Sequence, residues 1–366
     1  MSQTPIPYLF MRGGTSRGPY FNRADLPQDT DQLAKVLVSA LGSGHPLNID
    51  GIGGGNAVTT KVAMLSKSTA PWADTDSFFA PVSVEDGLVD FKPTCGNILS
   101  GVASAAIEMG LYPASKGETS LRIRAVNTGA EILAKVQTPN GLISYAGEAV
   151  IDGVPGSAAP VELNFMKVAG SSTGTFLPTG NVTDKIDGMN VTCMDVAMPM
   201  VIARAEGFGL TGYETRDELD ANTAFFERME AIRIKSGAAM GMGDVRKSVT
   251  PKFGLLAPAR QGGSVATRYF MPWKTHPTMA VTGSQCLASC VLTPGTVADG
   301  LVKRPAHSPA KITLEHPMGL MDVLVDYQLN GDEFEHKSAG LIRTCRKIAQ
   351  GQIFIPSEVW DGRTRR

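Results

Sequence analysis

The sequence predicts an α+β protein of two similar halves, each a set of short antiparallel strands around one buried helix. Three observations carry this reading. The chain has 366 residues, too many for one ordinary core. Short runs rich in β-branched residues, broken by Gly and Pro, recur throughout, a spacing that argues against a doubly wound parallel sheet. Two small-residue apolar runs, 98–109 and 285–292, each follow a Gly and a polar residue, as buried helices would.

In chain order, residues 5–12 read as a strand running into Gly13-Gly14-Thr15-Ser16-Arg17-Gly18, with a strand resuming at 19–21. That turn, with its Thr, Ser and flanking Arg12 and Arg17, is either an anion-binding loop or an ordinary hairpin. A helical period covers 29–42 and stops at Gly42. Asp50-Gly-Ile-Gly-Gly-Gly-Asn56 is a second Gly-rich loop, followed by a strand at 57–66 whose apolar run Lys61 interrupts. A Lys there either faces solvent or points into a cavity, where desolvation lowers its pKa towards that of a base. Strands at 77–84 and 88–91 lead into the first buried helix.

Beyond it, 119–126 reads as a strand turned by Asn127-Thr-Gly129. Residues 132–136 and 142–145 pair as a hairpin about Asn140-Gly141, and 161–165 is a further strand. A Gly/Ser/Thr-rich stretch, 169–182, places a boundary near 187. The expected domains are 1–187 and 188–366, with the last strand free to return to the first. The second half repeats the plan: strands at 189–196 and 198–203, helical segments near 216–221 and 223–236, then strands at 253–257 and 264–270. The second buried helix follows, and strands at 311–314, 321–329 and 345–355 finish the chain.

The chemistry concentrates in Phe91-Lys-Pro-Thr-Cys-Gly-Asn97. Thr94 is a cap candidate and Gly110 supplies the helix stop. Cys95 then sits in the first turn, where the helix dipole favours a thiolate, and Gly96 and Asn97 offer N–H groups to a carboxylate or oxyanion. The other reading of Cys95 is a small core hydrophobe. A net charge of −1 gives no attraction to nucleic acid or to membranes, and no window reaches 18 apolar residues. The expectation is a cytoplasmic protein. Cys95, Cys193, Cys286, Cys290 and Cys345 form neither a disulfide framework nor a zinc pattern, and no nucleotide-binding fingerprint is present.

The motifs Met11-Arg-Gly-Gly-Thr-Ser-Arg-Gly18, Asp50-Gly-Ile-Gly53, Thr60-Lys-Val-Ala63, Cys95-Gly-Asn97, Val126-Asn-Thr-Gly129, Ile151-Asp-Gly-Val-Pro-Gly156, Leu177-Pro-Thr-Gly-Asn181 and His316-Pro317 span almost the whole chain. Together they resemble the PrpF family, whose fold is that of diaminopimelate epimerase. The resemblance implies two epimerase-like domains, each a barrel-like sheet around a central helix, with the active site in the cleft between them. It implies a cofactor-independent isomerase with no metal, acting on an unsaturated tricarboxylate such as 4-oxalomesaconate, the intermediate of gallate degradation. 2-Methylaconitate and methylitaconate are the alternative substrates, and a homodimer is a family-level expectation.

Carry-over from the family places the reactive pair at Lys61 and Cys95. Arg12, Thr15, Ser16, Gly54, Asn56, Gly96, Asn97, Thr282, Gly283 and Ser284 would hold carboxylates. The epimerase pattern uses a second Cys, which here falls at Thr282, a residue that is neither acid nor base near neutral pH. Met198 stands where that pattern has Asn. Cys286 and Cys290 lie further along the helix and read as core. One thiol and one amine suit a 1,3-proton shift rather than two-face racemisation. A non-catalytic protein that binds polycarboxylates is the remaining alternative.

Overall fold

The Gly-bounded runs become strands and helices in a computed structural model that describes residues 2–331 and 333–362. The chain forms two compact units. One runs to Leu163 and takes back the stretch from Ile342 on; the other is Asn164–Leu341. The division therefore follows Leu163, where sequence reading set a boundary near 187.

The first unit carries β1 (Gln3–Gly13), β2 (Ser16–Asn22), α1 (Thr30–Leu41), β3 (Lys61–Lys67), β4 (Thr75–Pro81), α2 (Gly96–Glu108), β5 (Gly117–Ala125), β6 (Glu131–Thr138) and most of β7 (Pro160–Met166). Its strands follow one another in sheet order. The second unit carries β8 (Asp184–Ile186), β9 (Met189–Asp195), β10 (Pro199–Arg204), α3 (Arg216–Asp220), α4 (Thr223–Ala239), β11 (Lys252–Pro258), β12 (Val265–Phe270), α5 (Val281–Leu292), β13 (Ala310–His316) and β14 (Gly319–Asn330). The last strand, β15 (Glu333–Pro356), pairs with β14 through its first part and with β1 through its last, Gln3 opposite Pro356.

Both units repeat one plan. In the first, β1–β2, β3–β4 and β5–β6 are antiparallel, whereas β2–β3 and β4–β5 run parallel. In the second, β9–β10, β11–β12 and β13–β14 are antiparallel, whereas β10–β11 and β12–β13 run parallel. The sequence reading expected antiparallel strands throughout. The difference has a simple cause: each parallel pair is joined through a helix, and a helical crossover returns the chain to the same end of the sheet.

The helix expected at 29–42 forms with local signals at both ends. The Asp29 carboxylate accepts from the Gln32 N–H at 2.8 Å, and Gly42 closes the helix at φ 68°. α2 is buried on every side from Ile98 to Ala106 and packs against β1, β2, β3, β4 and β6, so it is the core of its unit. It stops as expected: Gly110 has φ 69°, its N–H donates to Ile107 O, and the Leu111 N–H donates to Ala106 O. α5 is buried from Gly283 to Leu292 and packs against β9, β10, β13 and β14.

Three strand expectations are corrected. Residues 57–60 are turn, because Asn56 O accepts from both the N–H and the hydroxyl of Thr59, and β3 begins only at Lys61. The 88–91 stretch makes a single bridge, Val82 to Val89. The Asn140-Gly141 turn forms with both φ values positive, but 142–145 builds no strand, since β6 pairs with β5 on one side and β7 on the other.

Candidate active site

The β1–β2 turn meets the start of α2. A side chain at Gly13 would lie 2.5 Å from Asn97 O, and one at Gly14, which has φ 52°, would lie 2.2 Å from Asn97 Oδ1. Only glycines let the turn approach this closely. Thr15 and Asn97 then bond reciprocally: Asn97 Nδ2 donates to Thr15 Oγ1 at 3.0 Å, and the Thr15 N–H reaches Asn97 Oδ1 at 3.4 Å.

Cys95 is the N-cap of α2, one residue earlier than its expected place in the first turn, so Thr94 is not the cap. Cys95 makes no side-chain capping bond, and no acidic residue stands in the first turn. The positive end of a 13-residue helix is therefore left with neither a capping side chain nor a carboxylate, beside a half-buried thiol. Such an end attracts an anion.

Lys61 opens β3. Because β3 runs parallel to β2 with Ala63 opposite Tyr20, Lys61 stands level with Gly18, two residues from the start of β2 at Ser16. That is about 7 Å along the strand from the turn that holds Asn97. Lys61 and the start of α2 thus share one end of the first unit. The approach of β2 to β3 is close enough that a Cβ on Gly18 would lie 1.7 Å from Lys61 O. The Lys61 ammonium lies over the Phe79 ring, 5.7 Å from its centroid, a cation–π contact on a half-buried side chain.

The remaining expected residues divide. Arg12 is committed to its own unit: Nη1 donates to Gly14 O at 2.8 Å and to the carbonyl and hydroxyl of Thr344 at 3.0 Å. Ser16 is buried at the base of the turn. Gly54 is exposed beside Arg17 and Thr59, and a Cβ there would lie 2.7 Å from Arg17 Nη2. The Asn56 side chain closes its own turn, its Oδ1 accepting from the Val58 N–H at 3.1 Å.

In the second unit Thr282 is the second residue of α5 and half-buried. Gly283 packs against the Tyr269 ring, 2.2 Å from where a Cβ would stand. Ser284 is buried, and its hydroxyl donates to Val281 O at 2.8 Å, so it serves the helix.

Of the five cysteines only Cys95 escapes full burial. Burial pushes Cys286 well above its ordinary value, Cys290 and Cys193 up to about 12, and Cys345 up to about 11. These four remain neutral thiols near pH 7. Cys286 and Cys290 are core, as expected. Among the described residues no group of three or more His, Cys, Asp or Glu is placed to hold a metal ion.

Sequence reasoning missed three supports of this site. Tyr20, fully buried, donates to Ile98 O at 2.6 Å and clamps the first turn of α2 to β2; burial raises its pKa well above the usual range. Phe79 floors Lys61. Asn48 holds the Gly-rich loop, donating to the carbonyls of Gly42, His45 and Val84 while its Oδ1 accepts from the Gly55 N–H. Each partner lies far along the chain or in an irregular loop, where no periodic signal marks it.

Comparison with known proteins shows the family. The family model described as PrpF protein matches residues 3–356. The (4E)-oxalomesaconate Delta-isomerase of Novosphingobium sp. is 44% identical, over 95% of this chain and 97% of its own. The 4-oxalomesaconate tautomerase of Pseudomonas putida is 42% identical over 99% of both. A crystal structure of methylitaconate-delta-isomerase superposes with a TM-score of 0.88 at 31% identity, covering 98% of this chain and 97% of the other.

Proposed function

Given that the chain belongs to the PrpF family, we propose that Lys61 and Cys95 carry out a 1,3-proton shift on an unsaturated tricarboxylate, most closely 4-oxalomesaconate. The chain is an isomerase, as are the relatives that match it end to end. The substrate choice is supported by the two oxalomesaconate isomerases at 42–44% identity over nearly the whole chain. The observation that carries the residue assignment is the half-buried thiol at an uncapped helix start, on the same end of the first unit as Lys61.

In this reading one group of the pair takes the proton from the acidic C–H between a carbonyl and the conjugated acid. The electron pair of the broken C–H bond moves into the conjugated system, and the other group returns a proton at its far end. Substrate and product are isomers, so nothing else is consumed. The developing oxyanion rests on the free N–H groups at Gly96 and Asn97, where each well-placed donor contributes about 3 kcal/mol. Thr15 and Asn97 bind a carboxylate at the turn. The enzyme works in the cytoplasm as a homodimer in gallate degradation.

The test is a panel of 4-oxalomesaconate, 2-methylaconitate and methylitaconate followed by ultraviolet absorbance. The proposal expects kcat/KM to be highest, by at least about tenfold, on 4-oxalomesaconate. A higher value on either methylated substrate would reassign the substrate, and turnover of none would remove the isomerase mechanism.

A further inference from the structure

The amide of Asn127 joins two stretches of chain that neighbour the proton-transfer pair, β4 beside Lys61 and the segment that leads to Cys95. Its Oδ1 accepts from the Phe79 N–H at 2.9 Å. Its Nδ2 donates to Phe79 O at 2.8 Å and to Phe91 O at 2.7 Å. Oxygen facing an N–H and nitrogen facing two carbonyls fix the orientation of the amide, since the flipped form would lose all three bonds.

Each anchor leads to one reactive residue. Phe79 is the ring beneath the Lys61 ammonium, and it lies two residues before Pro81, the cross-strand partner of Lys61. Phe91 stands four residues before Cys95. Among the described residues, the polar bonds that hold the segment from Asp90 to the helix start are Asn127 on Phe91 O, the Lys92 N–H on Asp90 Oδ1 and the Asp90 N–H on Pro81 O. The Phe91 ring adds a stacked contact with Phe78, centroids 5.3 Å apart. Asn127 itself follows β5, which runs parallel to β4 with Ala125 opposite Ser77, and the next residue, Val126, donates to Ser77 O at 2.9 Å. The amide thus sits in the turn that closes β5, which the Thr128 and Gly129 N–H groups tie back to Ala125 O.

We propose that Asn127 is a positioning residue that sets the placement of Cys95 relative to Lys61 through its bonds to Phe91 and Phe79. The inference rests on the reading of Lys61 and Cys95 as the reacting pair. Asn127 touches neither reacting atom, so its loss leaves the groups in place and spoils their registration. A misplacement of about 1 Å in a proton-transfer pair costs on the order of 10²-fold in rate.

The experiment compares Asn127→Ala and Asn127→Asp with wild type and with Ile232→Ala, a core truncation in α4 of the second unit. Asn127→Asp keeps the acceptor for Phe79 and loses both donors. On the intact protein, kcat and KM on 4-oxalomesaconate, the unfolding midpoint, and the pH profile of Cys95 alkylation by iodoacetamide are measured. The proposal expects both Asn127 variants to lose about 30- to 100-fold in kcat with KM within about threefold, and to shift the alkylation profile. Ile232→Ala should lose stability with kcat and alkylation unchanged. A loss of rate no greater than in Ile232→Ala, or an unaltered alkylation profile in the folded variants, would overturn it. If Asn127→Ala does not fold, Asn127→Asp decides alone, and Asn127→Ser, which keeps one donor, replaces it should that also fail. Alkylation needs no substrate, so this outcome stands apart from the mechanism, which Cys95→Ser tests separately.

Discussion

A single methyl group at Gly18 tests whether the start of β3 must be where it is. Gly18 faces Met11 across the β1–β2 ladder and lies level with Lys61 on the other side. An alanine Cβ would stand 1.7 Å from Lys61 O and 2.8 Å from Lys61 C, while real Cβ contacts essentially never fall below 3.0 Å. The two strands must therefore part by at least 3.0 − 1.7 = 1.3 Å at the residue that carries the amine. Both neighbours are backbone, so no side-chain rotation relieves the clash. Overpacking of this kind costs roughly 1–3 kcal/mol. In a unit of this size that lowers Tm by about 2–4 °C for each kcal/mol. A displacement above 1 Å at Lys61 is worth on the order of 10²-fold in turnover. Initial rates on 4-oxalomesaconate at saturation, corrected for the folded fraction from circular dichroism, give the comparison. Gly18→Ala with kcat within threefold of wild type, in a protein that folds, would refute the placement argument.

Other expectations are as direct. Cys95→Ser should fold with an unchanged denaturation midpoint and lose at least about 10³-fold in kcat, since a serine hydroxyl is neither acid nor base near neutral pH. Cys286→Ala, in a buried core position, should lower stability by roughly 1 kcal/mol in urea titration and leave kcat within twofold. His336 gives a pH-dependent stability. Its two ring nitrogens have no hydrogen-bond partner among the described residues, Phe176 and Phe334 flank it, and burial lowers its pKa to about 4 against the opposing pull of Asp326. The unfolded chain, with its imidazole near 6.5, binds the proton more readily. Stability is therefore lost as pH falls from about 6.5 to about 4, by up to about 3 kcal/mol. Urea midpoints at pH 7 and pH 4.5 should differ in wild type and by clearly less in His336→Phe.

What the sequence conveys depends on how local the cause is. α1 was legible because Asp29 and Gly42 act within one turn of their own helix. The body of α2 and its stop at Gly110 were legible for the same reason, yet its start was read one residue off. Thr94 is the better capping residue by type, but the chain reaches the helix in an extended conformation, with φ −138° and ψ 107° at Cys95. The internal repeat was visible in the two Gly-polar helix starts. The parallel pairings were not, because strand direction follows from which edge a crossover returns to, and that is a tertiary choice. Residues 142–145 carry a strand's composition but find the free edge of β6 taken by β7. Of the candidate ligands, Thr15 and Asn97 meet as a pair, while Arg12, Asn56 and Ser284 are bonded within their own backbone surroundings. Those three are polar residues beside glycines, a pattern that turns and anion sites share. Tyr20 gave no sign in the sequence, since its partner Ile98 lies 78 residues away.

Solvent deuterium exchange read by proton NMR bears most directly on the paired roles of Lys61 and Cys95. With 4-oxalomesaconate in deuterium oxide, wild type should place deuterium at the far end of the conjugated system, where the proton is returned, and Lys61→Met and Cys95→Ser should each slow the net isomerisation by at least about 10³-fold. Isomerisation and exchange persisting near the wild-type rate in the double variant, Lys61→Met with Cys95→Ser, would contradict the account.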